Sequence, residues 1–194
     1  MPAAMNGSVR RIEALIDGVG KLTLGLCLLM IGLVAVNVLL RYAFSFGSVW
    51  AQELEWHLLA ALILFGMSYA MQRGEMVRVD LFYAGYSPGT KFVVDLFSLL
   101  LQLAIACLFV KLSLAYVTQS WDIGETSADP GGIPFRWAVK GLIPIGFGLV
   151  SLQTVAALLR LVITERARRS GDSDNDSDNG EYSDSDLDRR ADHV

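Results

Sequence analysis

The sequence has few of the residues that carry catalysis, metal binding or covalent cross-links. Its 194 residues include two cysteines, two histidines and five prolines. Cys27 and Cys107 each lie inside an apolar stretch, which favours small buried side chains over a disulfide or a metal pair. A haem held by two histidines would need two imidazoles at membrane depth, but His193 lies in the C-terminal tail and leaves His57 alone. We therefore expect no cofactor and no metal.

Motifs that bind phosphates or activate a nucleophile are missing as well. We find no glycine-rich phosphate loop, no cluster of cysteine and histidine and no nucleophile elbow in the sequence. The acidic stretch before Gly180 fails the EF-hand pattern, because Ser177 stands where that pattern needs Asp or Asn. These absences predict that the chain is not an enzyme.

Apolar residues dominate what is present. They make up 53% of the chain, and the mean hydropathy is positive, which exceeds the usual range of a soluble domain. The net charge of -4 belongs to the tail, because residues 165–194 hold ten acidic and five basic side chains. The remaining residues are close to neutral. The composition therefore indicates a protein that folds in a bilayer.

Four segments are long enough to cross a membrane. A spanning helix needs about 20 mostly apolar residues to cross a hydrocarbon core of about 30 Å. The sequence therefore predicts an all-α integral membrane protein with Pro144 kinking its last span. The first segment exceeds the apolar core of a signal peptide and is followed by Arg41, so we expect an uncleaved anchor. The predicted spans lie at about 22–40, 50–71, 92–117 and 142–163.

The flanks of these spans predict the orientation and three regions. Basic residues concentrate before the first span, between the second and third, and after the fourth, which predicts both termini in the cytoplasm. Residues 1–21 alternate apolar and charged side chains at helical spacing, with Glu13 on the charged face, and predict an amphipathic helix on the inner leaflet. Residues 22–164 form the membrane domain. The acidic residues 165–194 predict a disordered tail.

Several polar residues lie inside or beside the spans. Arg41 ends the first span and Glu53 begins the second, so the short connection and the helix dipoles predict an ion pair between them. A proton relay through Glu53 and His57 is the functional alternative. Asn37 is predicted to hydrogen-bond across a helix interface. Gly66 marks a face where another helix backbone can approach.

At this point the chain resembles the small permease subunits, of the DctQ type, of tripartite ATP-independent periplasmic (TRAP) transporters. The resemblance covers most of residues 37–153 and depends on the order and spacing of short motifs. Met76 departs from it, since many members carry histidine after the Gly-Glu pair. The matching residues include Asn37, Arg41, Trp50, Glu53, Gly66, Trp121, Ser127, Pro130, Gly131, Gly132, Pro134, Trp137, Lys140 and Pro144.

The resemblance implies a multi-pass protein of the bacterial inner membrane. Its partners would be a large multi-spanning permease that holds the substrate and sodium sites and a periplasmic binding protein that captures an organic acid. The small subunit would be a non-catalytic scaffold, with Asn37 and Gly66 facing the large permease. The loop from Pro130 to Pro134, with Trp121, Arg136 and Trp137, would shape the outer surface where the binding protein docks. An interfacial anchor is the simpler interpretation of that loop.

Two other classes of function remain open from the sequence. One is a four-span scaffold or assembly subunit of an unrelated membrane complex, which would have no large permease beside it. The other is a homo-oligomeric channel, which the lack of a polar stripe along any span disfavours.

Overall fold

The computed structural model describes residues 7–75, 83 and 85–191, with the side chains of residue 8 and of 169–191 excepted. Four long helices make up the described chain: α1 (Gly7–Phe44), α2 (Val49–Arg73), α3 (Pro88–Asp122) and α4 (Arg136–Ala191). Each predicted span lies inside one of them. All four are long and apolar enough to cross a membrane, which confirms the all-helical prediction at this level.

Local sequence signals set the helix ends. The Ser48 hydroxyl accepts the amide of Ala51 at the start of α2, and Ser87 accepts the amide of Thr90 at the start of α3. Gly74 ends α2 in the left-handed region with φ 74°, where glycine carries no steric penalty. Pro144 lies inside α4. The kink that the sequence predicts at this residue remains a prediction.

The helices alternate in direction along the chain. Asn37 of α1 contacts Glu55 of α2, which places the end of one helix against the start of the next. Phe109 of α3 stacks on Phe147 of α4 with ring centroids 4.7 Å apart. The pairs α1–α2 and α3–α4 are therefore antiparallel, and α2 and α4 run parallel to each other. α4 packs against all three other helices, and α3 depends chiefly on α4 for its contacts.

Little of the apolar surface is buried within the chain. In the most apolar window of α1 no residue is buried, and in that of α4 the share is 28%. Leucines such as Leu24, Leu28 and Leu39 are about two-thirds exposed. In water such a surface would drive aggregation, whereas hydrocarbon solvates it. The membrane is therefore part of the fold.

The start of the chain differs from the simplest expectation. The predicted amphipathic segment is the first part of α1, continuous with the span, and its Val9 and Ile16 are fully buried. Glu13, expected on its solvent face, is also buried, because this stretch packs against α2 and α4. At the other end, the backbone of α4 remains helical to Ala191. The disorder predicted for the acidic tail stays a prediction.

Candidate functional site

The two ends of the helix bundle carry different polar groups. At one end lie the connection between α1 and α2 and the loop 123–135; we call this the Glu53 end. At the opposite end α2 finishes at Arg73 and α3 begins at Pro88; we call this the Arg73 end. Most of the predicted site residues meet at the Glu53 end, and its geometry defines the candidate site.

The Glu53 carboxylate joins α2 to the loop 123–135. Its side chain is buried, with 5% of the residue exposed. The Ser127 hydroxyl donates to Oε1, and the backbone N–H of Ile133 donates to Oε2 at 2.5 Å. The guanidinium of Arg136, at the start of α4, lies 3.8 Å from Oε1. One carboxylate in the first turns of α2 therefore fastens both the loop and the next helix.

The backbone of the loop is shaped to reach this carboxylate. Gly131 has φ 82°, a left-handed conformation in which glycine is preferred. At Gly132 an added Cβ would lie 2.6 Å from Ser127 Cβ and 2.7 Å from Glu53 Oε2, so this position has no room for a side chain. The amide of Asp129 also donates to Ser127 Oγ at 3.2 Å. The two consecutive glycines thus allow the loop to pass directly over Glu53.

A second carboxylate, Glu125, fastens the other side of the loop. The ammonium of Lys140 and the hydroxyl of Ser120 both donate to its Oε2, the latter at 2.7 Å. Hydrogen bonds from Lys140 first, and then from Ser120, hold the pKa of Glu125 below its ordinary value, against an opposing effect of burial. The Lys140 ammonium also stands 3.9 Å from the ring centroid of Tyr116. Glu125 therefore ties the end of α3 to the start of α4.

Aromatic side chains also lie at the Glu53 end. Trp121 and Trp137 form an edge-to-face pair with ring centroids 4.6 Å apart. Trp121 is 61% exposed and Trp50 is 50% exposed. Pro130 and Pro134 are exposed on the loop itself. The outer part of this site therefore offers rigid rings and prolines to a lipid interface or to a protein partner.

The structure corrects one predicted contact and confirms another. The predicted Arg41–Glu53 ion pair is wrong: Glu53 binds Ser127, Ile133 and Arg136, and Arg41 is exposed. Sequence proximity favoured Arg41, whereas the packing of α4 beside α2 supplies the actual partners. The predicted hydrogen bond of Asn37 is confirmed, because its amide donates to Glu55 Oε1 on α2 at 2.9 Å.

Two further predicted residues have ordinary surroundings. Gly66 faces α1, where an added Cβ would meet the Thr23 methyl at 3.5 Å, a normal packing distance. The His57 ring bonds to the backbone carbonyl of Glu53 at 2.6 Å and does not reach the carboxylate. Its Nε2 is buried and lacks a hydrogen-bond partner in the described structure. This arrangement provides no direct contact between the His57 ring and the Glu53 carboxylate for the proton relay.

Sequence reasoning missed a polar cluster at the Arg73 end. The buried Glu13 pairs with Arg160 of α4, and its backbone carbonyl accepts from Gln72 at 3.2 Å. Asp17 pairs with Arg73 at 3.4 Å. The signal is the set of charges on one helical face of residues 7–20, and that pattern predicts a solvated face equally well. These contacts fasten the start of α1 to α2 and α4.

Fold and site together define an integral membrane protein in which the polar residues hold helices and one loop to each other. The family described as "Tripartite ATP-independent periplasmic transporters, DctQ component" matches residues 30–164. This match covers more than half of the chain, and the chain belongs to that family. It is a small permease subunit of a TRAP transporter. No curated protein matched the chain.

Proposed function

We propose that this chain is the non-catalytic scaffold of a TRAP transporter. In this proposal a large multi-spanning permease moves the substrate, and the present subunit widens the fixed part of the assembly. The transported compound would be an organic acid, captured by a periplasmic binding protein and moved with sodium. The protein would reside in the bacterial inner membrane, with both termini in the cytoplasm.

The observation that carries this proposal is that the polar side chains bind other parts of the same chain. Glu53 binds the loop 123–135, Glu125 of that loop binds Ser120 and Lys140 on the flanking helices, and Glu13 binds Arg160. These carboxylates therefore connect elements of the same chain. Among the described residues, no group of three or more His, Cys, Asp or Glu is arranged to hold a metal ion. Ionisable groups inside a membrane usually mark a transport path when they are free to serve it. Here they serve the architecture, which is what a scaffold requires.

The exposed surfaces suggest how the partners would be arranged. The half of α1 nearer the Glu53 end exposes apolar side chains on most of its circumference. These faces would contact the large permease or lipid. At the Glu53 end, the loop with Trp121, Pro130 and Pro134 would lie beside the binding protein. The two glutamates hold that surface in one shape, and a preorganised surface binds with less entropic cost.

An uptake experiment tests the proposal. The gene is deleted in its native host, and sodium-dependent uptake of labelled dicarboxylates, 2-oxo acids and sialic acid is compared before and after. We expect uptake of one of these acids to fall to background and to return with the wild-type gene. Unchanged uptake of all of them would contradict the proposal that the transported compound is one of these organic acids.

A second measurement addresses the channel alternative. The purified chain is reconstituted alone in planar bilayers, and its conductance is recorded in sodium salts of the same acids. A scaffold should give no conductance above that of protein-free bilayers. A reproducible unitary conductance would show that the chain transports ions by itself and would exclude the scaffold function.

A further inference from the structure

A groove separates α2 from α3 near the Arg73 end, and we propose that it binds a phospholipid, with an acyl chain inside the groove and the phosphate at Lys91. The two helices pack on α4 instead of on each other, which leaves a cavity of about 380 Å³. Met67 and Met71 form its α2 side, and Phe147 and Val150 of α4 form its floor. Methionine side chains adapt readily to a flexible apolar ligand.

Two polar side chains in this apolar groove lack good partners. Ser98 and Gln102 lie on the α3 side. The Gln102 amide donates to the thioether of Met71 at 3.2 Å, and sulfur is a weak acceptor. Other hydroxyls in the spans donate to carbonyls of their own helix, as Ser113 does to Phe109, but no such bond is found for Ser98 among the described residues. Unsatisfied polar groups are costly in hydrocarbon, so a ligand with polar atoms at this depth is favoured.

The charge at the mouth of the groove fits a phosphate. Lys91 precedes Ser98 by seven residues, which is about two helical turns and returns to the same face of α3. Asp95 lies between them, but the Tyr83 hydroxyl donates to its carboxylate at 2.7 Å. The Lys91 ammonium stands 5.4 Å from the Tyr83 ring centroid. Along this face the order is the cation of Lys91, the Asp95 carboxylate held by Tyr83, the Ser98 hydroxyl and the Gln102 amide, so Lys91 is the group that can receive a phosphate.

The size of the groove suits a small molecule with a flexible chain. Its volume of about 380 Å³ lies within the range of small-molecule sites, about 300–1,000 Å³. An acyl chain is thin enough to enter laterally from the bilayer.

Native mass spectrometry of the full chain in mild detergent tests the inference. The protein is stripped of endogenous lipid and then titrated with phosphatidylglycerol or with diacylglycerol, which lacks the phosphate. We expect one phosphatidylglycerol to be retained per chain when the others dissociate. Ile105→Trp fills the groove and should abolish this retention. Leu112→Trp, on the same face of α3 but outside the groove, is the matched control and should retain the lipid.

The charge is tested separately. Lys91→Gln should lower the preference for phosphatidylglycerol over diacylglycerol about fivefold, which corresponds to about 1 kcal/mol for one cation at a membrane surface. Lys111→Gln, near the opposite end of α3, should leave the preference unchanged. Equal retention by the two Trp variants overturns the inference. So does a chain that retains no phospholipid alone but cross-links to a helix of the large permease from a photoreactive side chain at position 105, which would assign the groove to that helix.

Discussion

The Glu53 carboxylate and the backbone amide of Ile133 lie 80 positions apart in the chain and 2.5 Å apart in space. This contact closes the loop 123–135 over the beginning of α2. Ser127 and Arg136 add to it from the two sides of Ile133 in sequence. The shape of the Glu53 end therefore depends on one side chain that belongs to a different hairpin of the protein.

Glu53→Gln should loosen this loop. Glutamine keeps one acceptor but loses the negative charge and the second carboxylate oxygen, so Ser127 or Ile133 is left without its full partner. We expect a loss of about 1–3 kcal/mol in the stability of the loop. Limited proteolysis of the purified protein should show faster cleavage within residues 123–135. Glu75→Gln removes the same charge at the Arg73 end and should leave this cleavage rate unchanged.

Gly132→Ala should reproduce the effect of Glu53→Gln without any change of charge. The added Cβ would lie 2.6 Å from Ser127 Cβ and 2.7 Å from Glu53 Oε2, and the loop must shift to relieve these contacts. The measurement is again the cleavage rate within the loop. Gly141→Ala, five residues into α4 in open space, is its control. If both alanine variants are cleaved at the wild-type rate, the close approach of Gly132 to Glu53 is incorrect.

The binding of Glu125 to Lys140 and Ser120 should depend on pH. The pKa of Glu125 is lowered in the folded protein by hydrogen bonds from Lys140 and Ser120. The contribution of Glu125 to the free energy of unfolding is therefore fully present above its unfolded pKa of about 4.3. It is lost as the pH falls from there through the lowered pKa of the folded protein. Tryptophan fluorescence, which reports on Trp121 and Trp137, should change below about pH 4.3. In Glu125→Gln this transition should be smaller, and an identical transition would assign it to another group.

The pair Asn37–Glu55 should couple α1 to α2 energetically. A double-mutant cycle with Asn37→Ala and Glu55→Ala, followed by thermal unfolding in detergent, should give a coupling of about 1 kcal/mol. The same cycle with Arg41→Ala and Glu53→Ala should give a value near zero, because these residues do not pair. A substantial coupling between Arg41 and Glu53 would restore the ion pair that the sequence predicts.

The contrast between these two pairs shows what the sequence can predict here. Segment length and apolar composition are local properties, and they located all four helices. Asn37 was also predictable, because an amide inside a span needs a partner on a neighbouring helix. The partner of Glu53 was not predictable, since Arg41 is 12 positions away and Ile133 is 80. That choice depends on which helix packs beside α2, and the helical periodicity of one chain does not specify it.

The Glu13–Arg160 pair was missed for a related reason. An amphipathic pattern gives the same periodicity whether its charged face meets water or a buried partner. The pattern in residues 7–20 therefore predicts a surface helix, whereas α1 continues without a break and buries Glu13 against α4. Arg160 lies inside the predicted span 142–163, and nothing in its local sequence indicates that it pairs with a residue at the start of α1.

Two glycines of α4 allow internal packing to be separated from contacts with a partner. An added Cβ at Gly146 would lie 2.7 Å from Leu64 Cβ and 3.1 Å from the Leu64 carbonyl oxygen, so α2 and α4 approach closely here. At Gly148 no atom of the described chain lies within 4 Å of such a Cβ. Gly146→Ala should destabilise the purified subunit by about 1–3 kcal/mol, measured by thermal unfolding in detergent.

Gly148→Ala should leave that unfolding temperature unchanged or slightly higher, because alanine is the better helix former. The two substitutions therefore diverge in the isolated chain. If the face containing Gly148 packs against the large permease, Gly148→Ala should lower the amount of permease that co-purifies with the tagged subunit while the subunit itself remains stable. Equal destabilisation of the isolated chain by both variants would contradict the packing of α2 on α4 described here.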